Sequence, residues 1–493
     1  MTDKTPMLAS IRAAEQTLAG EYADVLVVNP DLDRKLVSFQ ANKTETAHRW
    51  FKYKEGFSAA LMRYVFERTG IEAGHILDPF AGAGTALFAA SDLGMDATGV
   101  ELLPSSAEAI EVKRLLLQLD RVSVADSIAA FAAERSWEQS GPTESFGHIT
   151  ITAGAFPPAT EYQLGRYLFE TTALPDTRMG RILRFAALSV LEAISYTRKD
   201  GQYLRWDYRS GRRAGSKPFD KGRILDFTEA ITAKLAEMEA DLGALDSGYY
   251  IPRTLFDVTR SAQRLGEIEL LVGSCLDIMP QLPAEKYDGL VTSPPYCNRY
   301  DYTRTYALEL AMMGIGEAGI RDLRQAMLSC TVENREKADL ADKFGPTLYE
   351  EAQNAFASQE LLANILGYLE ACRQDGSINN PGIPRMVRNY FREMSLVIFE
   401  GARLLKPGAP LVMVNDNVRY QGAHVPVDLI LSDMAKRAGF SVETIWVLPR
   451  GKGNSSQQMS EHGREEVRKC VYIWRRAREP RATTRDPQVA LAS

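Results

Sequence analysis

The sequence predicts an α/β fold: a doubly wound, Rossmann-like parallel sheet of about seven strands carrying two large, mainly helical insertions. Three observations predict it. A strand, a glycine turn, a helix and a second strand follow one another over residues 75–101. Short apolar runs return at 268–272 and 288–292, and strands alternate with helices again from 386 to 474. Such alternation builds a parallel sheet with helices on its faces.

The elements run as follows. Residues 1–40 show scattered apolar positions and no readable chemistry, and stand as an N-terminal extension. Residues 55–68 place Phe57, Leu61, Tyr64 and Val65 at helical spacing. Residues 75–78 read as a short buried strand, 80–85 as a glycine turn, 86–93 as a helix stopped by Gly94, and 97–101 as the next strand. A long segment, 105–266, interrupts the pattern, and a second helical insertion covers 302–379. A helix over 386–405, a strand over 410–414, a helix over 427–438 and strands over 441–448 and 470–474 close the chain. The core is therefore expected at 41–104, 267–301 and 380–476. Arg, Pro, Thr and Ala dominate after Trp474, and 477–493 reads as a disordered tail.

A length of 493 residues exceeds one ordinary core. Apolar content of 45% with 25% charged residues fits a soluble globular protein. No apolar run approaches the roughly 18 residues that span a bilayer. The first residues, Met1 to Pro6, lack the apolar core of a signal peptide, so a cytoplasmic protein without a membrane partner is expected. The five cysteines are scattered and odd in number, so neither a metal site nor a disulfide framework follows from them. A net charge of −6 does not favour a polyanionic partner, which leaves nucleic-acid binding to be argued from local patches.

Two stretches carry chemistry. The first is Asp78-Pro79-Phe80-Ala81-Gly82-Ala83-Gly84-Thr85, with Glu101 ending the following strand. Glycines without Cβ let the backbone turn tightly and let a ligand lie against it. Taken alone they fit a packing turn equally well. Asp78 and Glu101 at matching strand ends favour a pocket for an adenosine-containing cofactor, with Glu101 accepting from a ribose diol. The turn is not G-x-G-x-x-G and no Walker lysine follows it.

The second is Thr292-Ser293-Pro294-Pro295-Tyr296, directly after a strand. Two prolines stiffen the backbone and remove two donors, which leaves local carbonyls free to accept. Ser293 adds a hydroxyl acceptor, and Tyr296 a flat face for stacking a base. An amino group held by two acceptors and stacked on a ring has its nitrogen lone pair steered towards a methyl donor. The competing reading is a rigid loop, but the carboxyl end of a parallel strand is where α/β proteins place their sites.

Together the two stretches resemble motifs I and IV of the amino-group DNA methyltransferases, which modify cytosine N4 or adenine N6. Within that family a serine-headed Ser-Pro-Pro-Tyr is typical of cytosine-N4 enzymes. The clear match covers residues 75–104 and 268–300, with a looser fit over 386–476, and motif I preceding motif IV resembles the α-type order. The resemblance implies S-adenosylmethionine as cofactor and a DNA substrate with a flipped target base. It implies that Ser293 and the Pro294 carbonyl grip the amino group, beside Pro295, and that Tyr296 stacks on the base. Cofactor contacts would come from Asp78, Phe80, Ala81, Gly82, Gly84, Thr85 and Glu101. Residues 48–58 resemble the motif that closes over the methionine end, which brings in Phe57 and Ser58. Where the family often has an acidic residue for the adenine amino group, this chain has Ser274, with Asp277 as a substitute. A cognate restriction endonuclease is a partner the resemblance allows without requiring.

Between the motifs, residues 198–223 hold nine Lys or Arg and three Asp. They are interleaved with Tyr203, Trp206, Tyr208 and Phe219. Arg198, Lys199, Arg205, Trp206, Arg209, Arg212, Arg213 and Lys217 are the candidate nucleic-acid contacts, in preference to a solvated basic loop. This is also where α-type enzymes carry target recognition. A second polar loop, 450–458, is placed to flank the same groove and is equally a solvated turn.

The chemistry expected is direct methyl transfer to an amine. A covalent cysteine route is not favoured, since no Pro-Cys dipeptide occurs, and Cys297, His48 and His75 read as structural. Two alternatives stay open: the same transfer to adenine N6 in DNA or to an RNA base, and a catalytically silent nucleic-acid-binding protein with this fold.

Overall fold

The computed structural model describes residues 4–200, 203–212, 218–246, 265–449 and 467–478. Its centre is an eight-stranded sheet: β1 (Leu26–Val28), β2 (His75–Asp78), β3 (Asp96–Glu101), β4 (Ile268–Val272), β5 (Gly289–Thr292), β6 (Pro410–Asp416), β7 (Phe440–Val447) and β8 (Lys469–Arg476). The order across the sheet is β1-β7-β8-β6-β5-β2-β3-β4. Neighbours pair in parallel except where β8 meets β7 and β6. Seven of these strands are the predicted ones, shifted by a residue or two. The eighth, β1, comes from the extension that looked featureless, because a half-buried leucine and two exposed valines on a sheet edge carry no periodicity. The last strand also runs through Arg475 and Arg476, past the point where low complexity begins.

Side chains alternate between two cores, as strand geometry requires. Leu77, Leu290, Leu411 and Met413 face the Ile383–Leu404 and Val427–Arg437 helices. Ile76, Val291, Val412 and Val414 face the Ala59–Thr69 and Thr85–Asp92 helices. Ser58 caps the first of this second pair by accepting from the Leu61 N–H, and Gly70 ends it at φ +71°. That helix therefore starts four residues later than its apolar spacing predicts, and Glu55–Phe57 are freed to line a cavity.

The segment between β3 and β4 builds a third core of its own. Its helices, with a two-stranded hairpin (Thr197–Asp200, Tyr203–Trp206), enclose Trp137, Tyr167, Phe185 and Phe227. The stretch after β5 is helical, and its Tyr300–Met327 part joins the same core. No helix among the described residues is long and apolar enough to cross a membrane.

Asp241, near the end of the Phe227–Asp246 helix, fastens this third core to the segment that precedes the Ala59–Thr69 helix. Its buried carboxylate accepts from the Ala47 N–H at 3.0 Å and from Trp50 Nε1 at 2.7 Å, and pairs with Arg49. Asp241→Ala leaves the buried Trp50 indole N–H without an acceptor. It should cost about 2–3 kcal/mol of stability, read as a lowered urea midpoint.

Candidate active site

The chain leaves β2 for β3 and β4 on one side, then crosses back to β5 and β6 on the other. The tips of β2 and β5 therefore flank the switch point, where a crevice opens at the carboxyl ends of the strands. Asp78 ends β2 and Thr292 ends β5. The Asp78 carboxyl accepts from the Thr292 hydroxyl at 2.7 Å and from the Phe80 N–H at 3.0 Å. Its other oxygen is buried without a partner, and burial raises the acid to about 7.

The glycine turn comes next. Gly82 sits at φ +54°, and a Cβ there would stand 2.7 Å from the Tyr53 ring. Gly84, at φ +81°, opens the Thr85–Asp92 helix. Both positions need glycine for backbone conformation and for room. Glu101 braces the turn, accepting from the N–H groups of Gly82 and Leu103, each at 2.7 Å. Burial pushes this carboxyl up to about 8. Beneath the turn, buried Lys113 donates to the Ala83 carbonyl and lies 4.5 Å above the Phe88 ring. Burial brings its ammonium down to about 7.

A cavity of about 730 Å³, counting its open mouth, occupies the crevice. The glycine turn lines it through Pro79–Ala83 and Thr85, the next strand tip through Glu101–Leu103, and the second motif through Ser293 and Pro295. The two motifs thus open onto one cleft. Phe57 and Ser274 line it too, joined by residues that sequence reasoning missed: Tyr53, Glu55, Tyr302, Met327 and Leu328. Tyr53 and Glu55 fall within the 48–58 stretch but carried no separate signal. The last three come from the helical segment after β5, and only the folded chain brings them here.

Several predicted contacts stand elsewhere. Asp78 and Gly84 support the turn without lining the cavity. Ser58 is buried as a helix cap and donates to the Leu36 carbonyl. Ser274 reaches the cavity, but its hydroxyl donates to the Ala326 carbonyl at 2.7 Å and caps the short Cys275–Ile278 helix. Asp277 lies outside the lining, paired with Lys343 at 2.6 Å. Pro294 is buried and Tyr296 half-buried, both outside the cavity lining.

Ser293 donates to the Val414 carbonyl of β6 at 3.1 Å and lies 3.4 Å from the Tyr296 hydroxyl. Its hydrogen is committed, so its lone pairs remain to accept. Cys297 is buried and its thiol is raised by that burial, which leaves no thiolate at neutral pH. His48 is buried and held neutral, while His75 bonds Thr98 at 2.7 Å.

Several side chains of the basic stretch are engaged within the folded chain. Lys199, only 4% exposed, pairs with Glu309 and is not a surface contact. Arg205 pairs with Asp200, and Arg209 with Asp207. Arg212 covers the Trp206 ring at 3.8 Å and donates to the Thr150 and Ala153 carbonyls. Arg198 is exposed, as is Tyr208 at 54%. Arg213, Lys217, the 450–458 loop and the tail beyond Arg478 lie outside the described residues.

Fold and site together define an α/β protein with one small-molecule cavity shared by two strand-tip motifs. No family model matches the chain. It is 50% identical over 462 residues to the type II methyltransferases M.AvaI of a Nostoc species and of Anabaena variabilis, covering 94% of this chain and 93% of theirs. It is 37% identical over 490 residues to the type II methyltransferase M.BsoBI of Geobacillus stearothermophilus, covering 92% and 90%. At that identity over nearly its whole length, the chain belongs to the type II methyltransferases, in keeping with its amino-group methyltransferase motifs.

The raised carboxyls carry a pH signature. Folded Asp78 and Glu101 keep protons that the unfolded chain releases above the ordinary values of 3.8 and 4.5. The stability tied to those protons is complete below that range and is lost as pH rises through about 7 and 8. Thermal midpoints of the ligand-free chain should fall between roughly pH 4 and 8, and Asp78→Asn should make that fall shallower below about pH 7.

Proposed function

We propose that this chain is an S-adenosylmethionine-dependent DNA methyltransferase of the doubly wound, Rossmann-like class, and that it methylates N4 of cytosine within a specific sequence. The observation that carries this is the single cavity shared by the glycine turn and Ser293. In it, a cofactor braced by Glu101 would reach an amine held at the Ser-Pro-Pro-Tyr loop. The residues fit that cofactor. The Gly82 cradle has no room for a Cβ, Glu101 keeps lone pairs for a ribose diol, and among the described residues no Lys, Arg or His lines the cavity to repel a cation.

S-adenosylmethionine supplies the methyl group from its sulfonium. The chain's own contribution is to hold and orient the acceptor. Ser293, its hydrogen turned to Val414, accepts a hydrogen bond from one amino N–H, and the Pro294 carbonyl accepts one from the other. Tyr296 stacks on the flipped base from outside the cofactor cavity. Held in line with the methyl, the amine needs no covalent relay, and orientation of this kind is worth several kcal/mol, up to about 7–11. The serine heading the loop favours cytosine over adenine, since a neutral hydroxyl stands where adenine enzymes of the resembled family carry Asp or Asn.

Residues 41–104, 267–301 and 380–476 would form the catalytic core and 105–266 the target-recognition region. Most of the exposed arginines there are in surface ion pairs, which hold about 0–1 kcal/mol each and exchange readily for phosphates. Arg198, Arg205, Arg209 and Arg212 therefore stay candidate DNA contacts, and Lys199 does not. The type II relatives fit a cytoplasmic restriction–modification setting, in which a cognate endonuclease is a partner allowed and not required.

The test is transfer of labelled methyl to DNA and to RNA, followed by digestion to nucleosides. Label in N4-methylcytosine is expected; label confined to N6-methyladenine, or to RNA, rejects the assignment. Ser293→Ala and Tyr296→Ala should each lower the rate by on the order of 100-fold or more while cofactor binding persists. Glu101→Ala should weaken cofactor binding instead.

A further inference from the structure

A second cavity, of about 800 Å³ counting its open mouth, shares a wall with the first. One short segment serves both. Tyr53, Glu55 and Phe57 line the first cavity, whereas Phe51 and Lys52 line the second. The second cavity also brings together Glu192, Arg198, Lys199, Lys221 and Glu309. These come from the Thr177–Ile194 helix, the hairpin, the arm that follows it and the helical segment after β5.

Its charge is the reverse of the first cavity's. Lys52, Arg198, Lys199 and Lys221 face two carboxylates, Glu192 and Glu309, and the chain already answers both of those. Lys199 pairs with Glu309 at 2.5 Å in a contact sealed from solvent. Glu192 takes Lys52 at 2.9 Å, with Lys54 at 3.9 Å, and accepts from the Lys199 N–H at 3.2 Å.

Donor capacity is left over. Arg198 is exposed, and among the described residues nothing bonds or pairs with its guanidinium, which carries five N–H donors. Lys221 gives two of its three donors to the carbonyls of Glu192 and Ser195, and one remains. Burial brings that ammonium down to about 8. The Lys52 side chain is 46% exposed, so its tie to Glu192 is a surface pair that exchanges readily. Three cations with donors to spare on one concave wall fit a ligand that is anionic and offers several oxygens.

We propose that this second cavity binds one backbone phosphate of the DNA, with Arg198, Lys52 and Lys221 donating to its oxygens. This rests on the DNA methyltransferase reading above and gives one group of that substrate a place. Two features favour a phosphate of a polymer over a free anion. Arg198 and Lys52 stand at solvent while Lys221 lies deeper, as suits a group pressed in from outside. The segment carrying Phe51 and Lys52 continues into the wall of the cofactor cavity, so a phosphate held here neighbours a base presented there. Phosphate contacts of this kind set the register of the duplex. Arg205, Arg209 and Arg212 differ, being committed to Asp200, Asp207 and the Trp206 ring, and none of them lines the cavity.

The test is binding of the full chain, of Arg198→Gln and of Lys52→Gln to a duplex that the chain methylates, at several salt concentrations. Each variant should weaken binding on the order of 10-fold and lower the slope of log affinity against log salt by about one. Duplexes with one phosphate at a time replaced by an uncharged methylphosphonate then locate the contact. In the unaltered chain one such replacement should cost about 10-fold, and in either variant the same replacement should cost at most about twofold. Unchanged thermal midpoints certify an intact fold, and Arg198→Gln, at an exposed position, carries the test by itself.

Undiminished affinity and slope in Arg198→Gln would overturn the proposal, and so would a variant in which every methylphosphonate keeps its full cost. Loss of inorganic phosphate binding in Arg198→Gln with DNA affinity intact would give the cavity to a small anion instead. If the unaltered chain bound no DNA, the DNA reading itself would fall, and this inference with it.

Discussion

The hydrogen bond from Thr292 to the buried Asp78 carboxyl is the constraint on which the rest of the site depends. It joins the tips of two neighbouring parallel strands that are 214 residues apart in the chain. Each tip launches one of the two motifs. With the tips locked, the glycine turn and the Ser-Pro-Pro-Tyr loop have little choice but to share a cleft. The lock has a cost, since burial makes Asp78 a reluctant acid. The surrounding hydrogen bonds offset part of that cost, and the same burial keeps water away from the joint.

Around this lock, polar side chains divide into two groups. Ser58, Ser274 and Asp78 spend their capacity on caps and strand joints. Glu55, Glu101 and Ser293 are held firmly and still have acceptor capacity left. Preorganisation of that kind is what binding and transfer require, because a fixed acceptor pays no reorganisation cost when its ligand arrives. The cavity wall is otherwise mainly aromatic and aliphatic, and its acidic side chains, Glu55 and Glu101, are joined by no lysine, arginine or histidine among the described residues, which suits a cationic ligand carried on a flat ring system.

The stretch between 198 and 223 shows why a run of charge is a weak guide to a surface. Nine basic residues in the sequence suggested a phosphate-binding face. In the folded chain Lys199 is sealed against Glu309 and two aromatic rings. Arg209 is clamped on Asp207, and Arg212 lies over Trp206. Arg209 meets its carboxylate two residues away, whereas Lys199 meets its own 110 positions along the chain, and a linear reading of net charge counts only the first kind.

What the sequence alone determined is the set of parts. The strand–turn–helix–strand unit, seven of eight strands, the glycine turn and the Ser-Pro-Pro-Tyr loop are local patterns, written in spacing and in residues whose backbone preferences are intrinsic. Tertiary structure decided which parts meet. β1 joined the sheet because its edge pairs with β7, although its own pattern is too short to announce a strand. Tyr302, Met327 and Leu328 became cavity wall, and Glu55 rather than Asp277 became the second carboxylate of the site. Those outcomes depend on long-range packing and on which charges find partners, neither of which leaves a periodicity or a motif in the chain.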